Sequence, residues 1–366
     1  MVDLTVNVSG IEMKNPVMPA AGPNVRTGKL MLDAVKNGAG AIVSKTISVT
    51  PADDSRPTIK TTICRGLINC ETWSEIPVQD FLDELREAKS AQVPLIVSIG
   101  YKPDEVSSLG KFIEKNIQPD GFEFSTHYVG REVEPLRKIA RALRNAVSSP
   151  IWMKISPNFL AIEELATAVS PYVDGFVAIN SFGPVLDFDP ENVGPRLGSK
   201  SGTGWLSGKP IMPIALRIVY QISSVQNKPV IGVGGIEQGI DAIKFIMAGA
   251  SAVQVCSAAI RNGSSIYGKI VQEMEQWLHQ HDYSSVQEIR GLYGRALADR
   301  KKYSSLPVMN IDTEKCTGCK ACIDRCIQGA LYMDNKKAKV ITSSCIGCGF
   351  CEDFCKFDAM SLEMTR

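Results

Sequence analysis

Short apolar segments alternate with amphipathic segments along residues 1–282. Segments such as Ile162–Val169 and Gly239–Met247 carry apolar residues at helical spacing, whereas eight short runs are almost wholly apolar and most are rich in Val, Ile or Phe. The eight runs are Pro16–Ala20, Ala41–Ser44, Leu95–Ser98, Gly121–Ser125, Ile151–Ile155, Gly175–Ile179, Val230–Gly234 and Ala252–Val255. Buried strands that alternate with helices are typical of a parallel sheet covered on its faces.

Eight strand–helix units over about 250 residues predict an α/β protein with a closed (β/α)8 TIM barrel at residues 1–282. An open doubly wound sheet is the alternative that the same pattern leaves open. Residues 283–305 have helical spacing and many charges. They fit either a connector between two domains or a helix on the outside of the barrel.

Residues 306–366 carry one cysteine spacing twice, Cys-x2-Cys-x2-Cys-x3-Cys. This is the bacterial ferredoxin pattern, in which the fourth cysteine of each run binds the other run's cluster. We therefore predict a small α+β domain with two [4Fe-4S] clusters, and short strands at Ala330–Met333 and Met360–Glu363. The first ligand set is Cys316, Cys319, Cys322 and Cys355, and the second is Cys345, Cys348, Cys351 and Cys326. Zinc sites and disulfide frameworks fit this doubled spacing less well.

The composition adds few constraints. The net charge is +1 and 44% of the residues are hydrophobic, so nothing indicates a nucleic-acid or membrane-surface partner. No apolar run approaches the roughly 20 residues of a membrane span, and the N-terminus lacks a basic, apolar leader. We expect a cytoplasmic protein that binds neither nucleic acid nor membrane.

The predicted strand ends at the barrel mouth carry two groups of residues suited to an anionic ligand. Gly234 and Gly235 follow the seventh strand, and Cys256 and Ser257 follow the eighth. Phosphate groups often bind after these two strands of a barrel, and glycines permit close approach of backbone N–H groups. These four residues therefore form a candidate phosphate site.

Other strand ends carry lysines and amides. Lys45 follows the second strand, Lys154 lies in the fifth, and Asn180 and Ser181 follow the sixth. A lysine in a barrel mouth needs an anionic partner, which a neighbouring carboxylate or a cofactor can supply. Together with the phosphate site, this set favours flavin mononucleotide (FMN), whose reduced anionic ring a lysine would stabilise. A flavin also links two-electron chemistry to clusters that carry single electrons.

Several motifs resemble the dihydroorotate dehydrogenase superfamily, most closely its dihydropyrimidine dehydrogenase branch. The matching stretches run through nearly the whole chain: Asn15-Pro16-Val17, Ala21-Gly22, Ser44-Lys45-Thr46, Leu67-Ile68-Asn69, Met153–Asn158, Ile179-Asn180-Ser181, Leu206–Ile211, Gly232–Ile236 and Gln254–Ala258. The resemblance implies an FMN barrel and a possible homodimer. It also implies that the following residues line the FMN or the adjoining substrate face: Ala20, Ala21, Lys45, Asn69, Lys154, Asn180, Ser181, Gly208, Gly234, Gly235, Cys256 and Ser257.

The sequence departs from the family after the fourth strand. The family carries Asn-x-Ser-Cys-Pro-Asn or Asn-x-Ser-Cys-Pro-His there, whereas this chain reads Ser125-Thr126-His127-Tyr128-Val129. The asparagine that would hold a pyrimidine is replaced by Ser125, and the catalytic cysteine is absent. Losing a buried amide partner leaves hydrogen bonds of a pyrimidine unmade, which costs recognition. We therefore expect a substrate other than uracil, thymine or orotate.

The same loop supplies the candidate acid–base residues. His127 exchanges protons near neutral pH and Tyr128 can donate one, and with Lys45 and Asn69 they form the candidate catalytic set. A purely structural role for His127 is the alternative.

Two cysteines and three arginines lie on other predicted mouth loops. Cys64 or Cys70 could be the proton donor instead, although a small buried side chain is the simpler interpretation. Arg56, Arg65 and Arg131 could attract an anionic substrate or could form surface salt bridges.

The sequence as a whole predicts an FMN- and [4Fe-4S]-dependent oxidoreductase. A hydride would pass between flavin N5 and an activated C=C or CH–CH substrate, and two clusters would relay electrons to an external carrier. That carrier would be a ferredoxin or an NAD(P)H-oxidising flavoprotein subunit. A genuine dihydropyrimidine dehydrogenase and a non-catalytic electron-transfer subunit are the competing hypotheses.

Overall fold

The computed structural model describes residues 2–125, 130–299 and 307–363. The chain divides into two compact units, Met1–Ala296 and Leu297–Arg366, which are described separately. The strands of the first unit are β1 (Val6–Val8), β2 (Ile11–Met13), β3 (Val17–Pro19), β4 (Ile42–Val43), β5 (Ile59–Thr61), β6 (Leu67–Asn69), β7 (Leu95–Ile99), β8 (Gly121–Ser125), β9 (Ile151–Ile155), β10 (Gly175–Ala178), β11 (Phe182–Leu186), β12 (Phe188–Asp189), β13 (Gly194–Pro195), β14 (Thr203–Ser207), β15 (Val230–Val233) and β16 (Ala252–Val255).

Eight of these strands form one parallel sheet in the order β3-β16-β15-β10-β9-β8-β7-β4. The two ends of the sheet meet, since the backbone N–H of Gly40 donates to the Val17 carbonyl at 2.8 Å. The predicted (β/α)8 barrel is therefore confirmed, and the open doubly wound sheet is excluded. The eight predicted apolar runs are the eight barrel strands, with differences of at most one residue at an end.

Helices cover the outside of the barrel. They are α1 (Gly28–Lys36), α2 (Val78–Lys89), α3 (Pro103–Ile117), α4 (Glu134–Arg144), α5 (Ile162–Val169), α6 (Met212–Val225), α7 (Gly239–Met247), α8 (Ser257–Asn262), α9 (Ile266–Gln280) and α10 (Leu292–Ala298). Each longer helix buries an apolar stripe, such as Phe81 and Leu85 of α2. Val286 and Ile289, in the segment that the sequence left open, pack into the barrel core. No helix within the three described ranges is long and apolar enough to cross a bilayer.

The barrel interior is filled in layers because alternate residues of each strand point inward. At the base, Trp152 is fully buried and its indole N–H donates to Ser9 Oγ at 3.1 Å. Ser9 lies in the tight β1–β2 hairpin, at a left-handed φ of 58°. Two residues further along β9, the next side chain of the same face is Lys154. This spacing carries a charged group toward the mouth of the barrel.

Two loops at the mouth contain strands that the sequence analysis did not assign. The loop after β4 contributes β5 and β6, and the long segment after β10 contributes β11 and β14. These four strands form an antiparallel sheet in the order β11-β14-β6-β5, in which Trp205 is paired with Asn69. The sheet brings distant parts of the sequence to the mouth.

The second unit contains two antiparallel strand pairs. They are β17 (Val308–Ile311) with β20 (Met360–Glu363), and β18 (Leu331–Asp334) with β19 (Lys337–Val340). The first cysteine run lies in the loop between β17 and β18, and the second lies in the loop between β19 and β20. The small core contains Met309, Cys322, Leu331, Ala338 and Met360. Five further cysteines pack against it: Cys316, Cys326, Cys345, Cys351 and Cys355. Together with a short 3-10 helix at Glu352–Phe354, these strands form the predicted small module, whose described residues contain no α-helix.

Candidate active site and cluster site

The carboxyl ends of the barrel strands open into a cleft of about 1020 Å³, including space open to solvent, which we call the mouth cleft. All the residues named as candidate FMN ligands line it: Ala20, Ala21, Lys45, Asn69, Lys154, Asn180, Ser181, Gly208, Gly234, Gly235, Cys256 and Ser257. Residues separated by more than 200 positions thus converge on one cavity.

Three glycines form one wall of the mouth cleft, and at Gly234 and Gly235 there is no room for a side chain. Gly208, Gly234 and Gly235 have φ values of +84°, +135° and +77°, a region that only glycine adopts readily. A Cβ on Gly235 would lie 2.8 Å from the Gly208 carbonyl oxygen and 2.8 Å from Met212 Cβ. Beside this wall, Ser257 Oγ donates to Ser207 Oγ at 2.9 Å. The result is a backbone-lined cradle that suits a phosphate group.

Replacing Gly235 with alanine is expected to weaken FMN binding about tenfold or more, because the new Cβ forces the cradle apart. FMN affinity would be measured by quenching of flavin fluorescence on titration into apoprotein. Gly263 provides a matched control, since its φ is +78° but a Cβ there meets nothing within 4 Å. Gly263→Ala should retain FMN affinity, and equal losses in both variants would contradict the cradle.

Both lysines of the mouth cleft have carboxylate partners. Lys154 Nζ lies 3.0 Å from Glu123 Oε1 and 3.3 Å from Gln254 Oε1, and Gln254 Nε2 donates to Glu123 Oε2 at 2.7 Å. All three side chains are almost completely buried. The ammonium group therefore lines the cleft while the carboxylate beneath it balances its charge.

Lys45 is held by Glu71 in the same manner. Its Nζ lies 3.0 Å from Glu71 Oε2, and Thr58 Oγ1 donates to Glu71 Oε1 at 3.3 Å. The side chains of Lys45 and Glu71 are 9% and 17% exposed, so the pair is partly desolvated at the edge of the cleft. The sequence left either a neighbouring carboxylate or a cofactor as the anionic partner of each lysine. In the structure, a neighbouring carboxylate is paired with each one.

The amides of the cleft are oriented by the protein itself. Asn180 Nδ2 donates to Ser125 Oγ at 2.9 Å, and its Oδ1 accepts from the Ser181 backbone N–H at 2.8 Å. Asn69 Nδ2 donates to the Trp205 carbonyl at 3.2 Å. Ser125 is thus the partner of Asn180.

Cys256 lies against the cleft as a protonated thiol. Burial raises its pKa to about 11, although the Lys154 and Lys45 charges oppose this shift. Its Sγ donates to Asn24 Oδ1 at 3.3 Å, and Asn24 Nδ2 donates to the Tyr267 hydroxyl at 3.0 Å. Burial also raises the Tyr267 pKa. The Cys256 side chain is therefore uncharged at neutral pH.

Other candidates from the sequence lie elsewhere. His127 and Tyr128 fall outside the described residues. Cys64 is exposed, with a left-handed φ of 50°, and does not line the mouth cleft. Cys70 lines a neighbouring cleft.

The three arginines do not line the mouth cleft either. Arg56 pairs with Glu75 on the surface, and Arg65 Nε lies 3.9 Å from Glu237 with 71% of its side chain exposed. Arg131 is exposed. The interpretation as surface groups fits all three better than capture of an anion in the mouth cleft.

Sequence reasoning did not assign several polar residues to the site, among them Glu71, Glu123, Gln254 and Ser207. The sequence pattern could have revealed two of these residues, Glu123 and Gln254. Glu123 and Gln254 are polar residues inside otherwise apolar strands, Gly-Phe-Glu-Phe-Ser and Ala-Val-Gln-Val. Such residues must find partners in the barrel interior.

In the second unit, four cysteines of the predicted first ligand set surround one cavity: Cys316, Cys319, Cys322 and Cys355. Cys326 lies near Cys351, whose pKa is raised to about 11 by burial first and by neighbouring thiols that include Cys326. Backbone N–H groups of Ala330 and Ala359 each donate to a cysteine sulfur, Cys326 and Cys355, at 3.3 Å. The two halves thus repeat one local arrangement, as the duplicated spacing predicts.

A barrel with this mouth cleft, joined to a module rich in cluster-type cysteines, defines a class of flavin- and iron–sulfur-dependent oxidoreductases. Comparison with known families agrees with that class. The dihydroorotate dehydrogenase family model matches residues 3–278, and a 4Fe-4S dicluster domain model matches residues 308–356. The chain belongs to the dihydroorotate dehydrogenase family. It is an oxidoreductase acting on CH–CH groups, in a family that uses FMN, with a domain of the kind that binds 4Fe-4S clusters.

Similar curated proteins are catalytic subunits of dihydroorotate dehydrogenase B (NAD(+)). The protein from Pyrococcus abyssi is 35% identical over 301 residues, which cover 79% of this chain and 98% of the relative. The one from Methanosarcina acetivorans is 35% identical over 301 residues, covering 78% and 94%. The one from Methanothermobacter thermautotrophicus is 32% identical over 299 residues, covering 79% and 98%.

Proposed function

We propose that this chain is the catalytic subunit of an oxidoreductase that transfers a hydride between FMN and an activated C=C or CH–CH substrate other than a standard pyrimidine. The main support is the convergence of every candidate FMN ligand on the mouth cleft. FMN, when bound, supplies a two-electron carrier that can also exchange single electrons.

The chain's own residues have separate roles in this proposal. The backbone around Gly234, Gly235 and Ser257 holds the phosphate, as the side-chain-free cradle suggests. Lys154 keeps a positive charge at the floor of the cleft, oriented by Glu123. A buried, fixed charge favours an anionic ring without reorganisation at the moment of reaction. We assign proton transfer to the loop that carries His127 and Tyr128.

The proposed substrate class follows from the amides. A pyrimidine needs amide partners for its paired N–H and C=O groups. Asn180 donates instead to Ser125, within the protein. This arrangement favours a substrate with fewer polar edges than uracil, thymine or orotate, and it argues against close functional similarity to dihydropyrimidine dehydrogenase.

The cysteine module gives the proposed electron path its second part. We propose two [4Fe-4S] clusters with the crossed ligand sets predicted from the spacing, which the cavity around Cys316, Cys319, Cys322 and Cys355 supports. The relatives named above are catalytic subunits of NAD(+)-linked enzymes. A flavoprotein subunit that oxidises NAD(P)H, or a ferredoxin, is therefore the proposed partner.

An anaerobic oxidation experiment tests this function. The holoprotein is reduced, and flavin absorbance is followed after addition of uracil, thymine, orotate, unsaturated carboxylates or acyl thioesters. We expect rapid reoxidation by an unsaturated compound outside the pyrimidines. Rapid reoxidation by a pyrimidine would restore the family's usual substrate class. If no small molecule reacts while a ferredoxin exchanges electrons quickly, the chain is an electron-transfer subunit.

A further inference from the structure

A second cleft, which we call the side cleft, adjoins the mouth cleft. It measures about 1170 Å³, including space open to solvent. Glu71 and Thr72 line both clefts, so the two cavities meet at these residues. A molecule whose reactive end lies in the mouth cleft would pass Glu71 to reach the side cleft.

The walls of the side cleft are largely apolar and aromatic. Trp73 and Tyr101 face each other with ring centroids 5.2 Å apart, and Trp205 of β14 and Ile139 of α4 also line the cleft. Trp73 is fixed by its indole N–H, which donates to the Thr50 carbonyl at 2.5 Å. Burial raises the Tyr101 pKa, with a contribution from Asp54, so the phenol stays uncharged at neutral pH. Such surfaces bind rings and branched apolar groups.

Glu71 carries the charge at the junction. Among the described residues that line the side cleft, it is the only charged one. Both of its oxygens are engaged, one by Lys45 at 3.0 Å and the other by Thr58 at 3.3 Å. Lys45 is thereby neutralised at the point where a substrate carboxylate would seek a cation. A carboxylate placed here would have to compete with Glu71 for the Lys45 ammonium group, in a partly desolvated setting.

We propose that the side cleft binds the apolar, ring-sized portion of an uncharged unsaturated substrate, and that Glu71 disfavours substrates that carry a carboxylate. This inference rests on the proposed function and names the substrate class of the same site. Trp73 supplies the surface for the ring, and Glu71 determines the selectivity for charge. Dihydroorotate, which carries a carboxylate, is the kind of substrate that this junction excludes.

Four probe compounds separate ring size from charge: methyl cinnamate, cinnamate, methyl crotonate and crotonate. Each is tested for its rate of reoxidation of reduced holoprotein and for its Kd with oxidised holoprotein, read from the change in flavin absorbance. Since esters and acids differ in intrinsic reactivity, the test compares ratios between variants. In the wild-type protein, methyl cinnamate is expected to bind most tightly.

Glu71→Gln is expected to raise the ratio of cinnamate to methyl cinnamate, in both affinity and reoxidation rate, by about tenfold, because it frees the Lys45 charge for the substrate carboxylate. Glu75→Gln is the matched control, since Glu75 is exposed and pairs with Arg56 outside both clefts. That variant should leave the ratio unchanged. Unchanged ratios in Glu71→Gln would overturn the role of Glu71.

Trp73→Ala is expected to lower the preference for methyl cinnamate over methyl crotonate, measured as the ratio of their affinities, by about tenfold. Trp73→Phe keeps a ring at this position and should retain most of the preference, which guards against a general folding defect. An undiminished preference in Trp73→Ala would overturn the binding role of the side cleft. Absence of reoxidation by any of the four compounds, with the Kd ratios as expected, would instead count against the proposed function alone.

Discussion

Replacing Glu123 with leucine is expected to lower the free energy of unfolding of the barrel by about 3–5 kcal/mol. The carboxylate is completely buried, and it is the only acidic group within salt-bridge distance of Lys154 among the described residues. Without it, the Gln254 side-chain carbonyl oxygen is the one hydrogen-bond partner that the described residues leave to the buried ammonium. An uncompensated buried charge is among the largest single costs that a protein core can carry.

Urea denaturation followed by tryptophan fluorescence measures this effect in the barrel unit. The four tryptophans, Trp73, Trp152, Trp205 and Trp277, all lie in residues 1–296. Their signal therefore reports the unfolding of the barrel and not that of the cysteine module. All variants would be compared at one fixed FMN concentration, because a bound ligand adds to stability.

The double variant Glu123→Leu/Lys154→Met separates charge from packing. Well-packed apolar residues often replace a buried ion pair without loss of stability, so the double variant should recover most of the stability. Turnover should remain about 10²-fold or more below wild type, because the fixed positive charge at the cleft is still absent. A double variant as unstable as Glu123→Leu would mean that the loss comes from packing and not from the unpaired lysine.

The barrel could be predicted from the sequence because each of its strands is a compact apolar run. Val230–Val233 and Ala252–Val255 lie between helical segments, and each is buried on both faces. Local pattern is sufficient here, since a parallel strand must be covered on both sides. The two cysteine runs are equally local, and their spacing alone predicted the cavity formed by the first set.

The sheet at the mouth could not be predicted in the same way. Its central pairing joins Asn69 with Trp205, residues separated by 136 positions. Neither segment has the unbroken apolar character of a buried strand, and pairing over such a distance depends on the barrel being formed first. The side cleft and the Glu71 junction are built from these segments, so they could not be predicted from the sequence.

The partners of the lysines could be predicted in part, unlike the barrel strands, which were fully predictable, and the mouth sheet, which was not. The sequence placed Lys154 in the barrel mouth and required an anion beside it. Glu123 stands in the neighbouring strand β8, whose residue Ser125 is in register with Lys154. An acidic residue and a lysine in adjacent apolar strands could therefore have been paired in advance, whereas the contribution of Gln254, from β16, depends on closure of the barrel.

Removal of one crossing cysteine is expected to eliminate one cluster and leave the other intact. Cys355 lies 39 positions after Cys316 but lines the same cavity, together with Cys319 and Cys322. Cys355→Ala should therefore lose the cluster of the first run, and iron should fall from about eight to about four atoms per chain. Cys326→Ala should lose the other cluster, with the same iron content.

Electron paramagnetic resonance of the reduced variants identifies which cluster remains. Cys355→Ala and Cys319→Ala should give one spectrum, and Cys326→Ala and Cys348→Ala should give another, because each pair belongs to one ligand set. If each run instead held its own cluster, Cys326→Ala would match Cys319→Ala. Cys64→Ala is the control, since this exposed thiol lies in the barrel unit and should leave iron content unchanged. The crossed arrangement is favoured because the fourth cysteine of the second run, and not that of the first, lines the cavity of the first three.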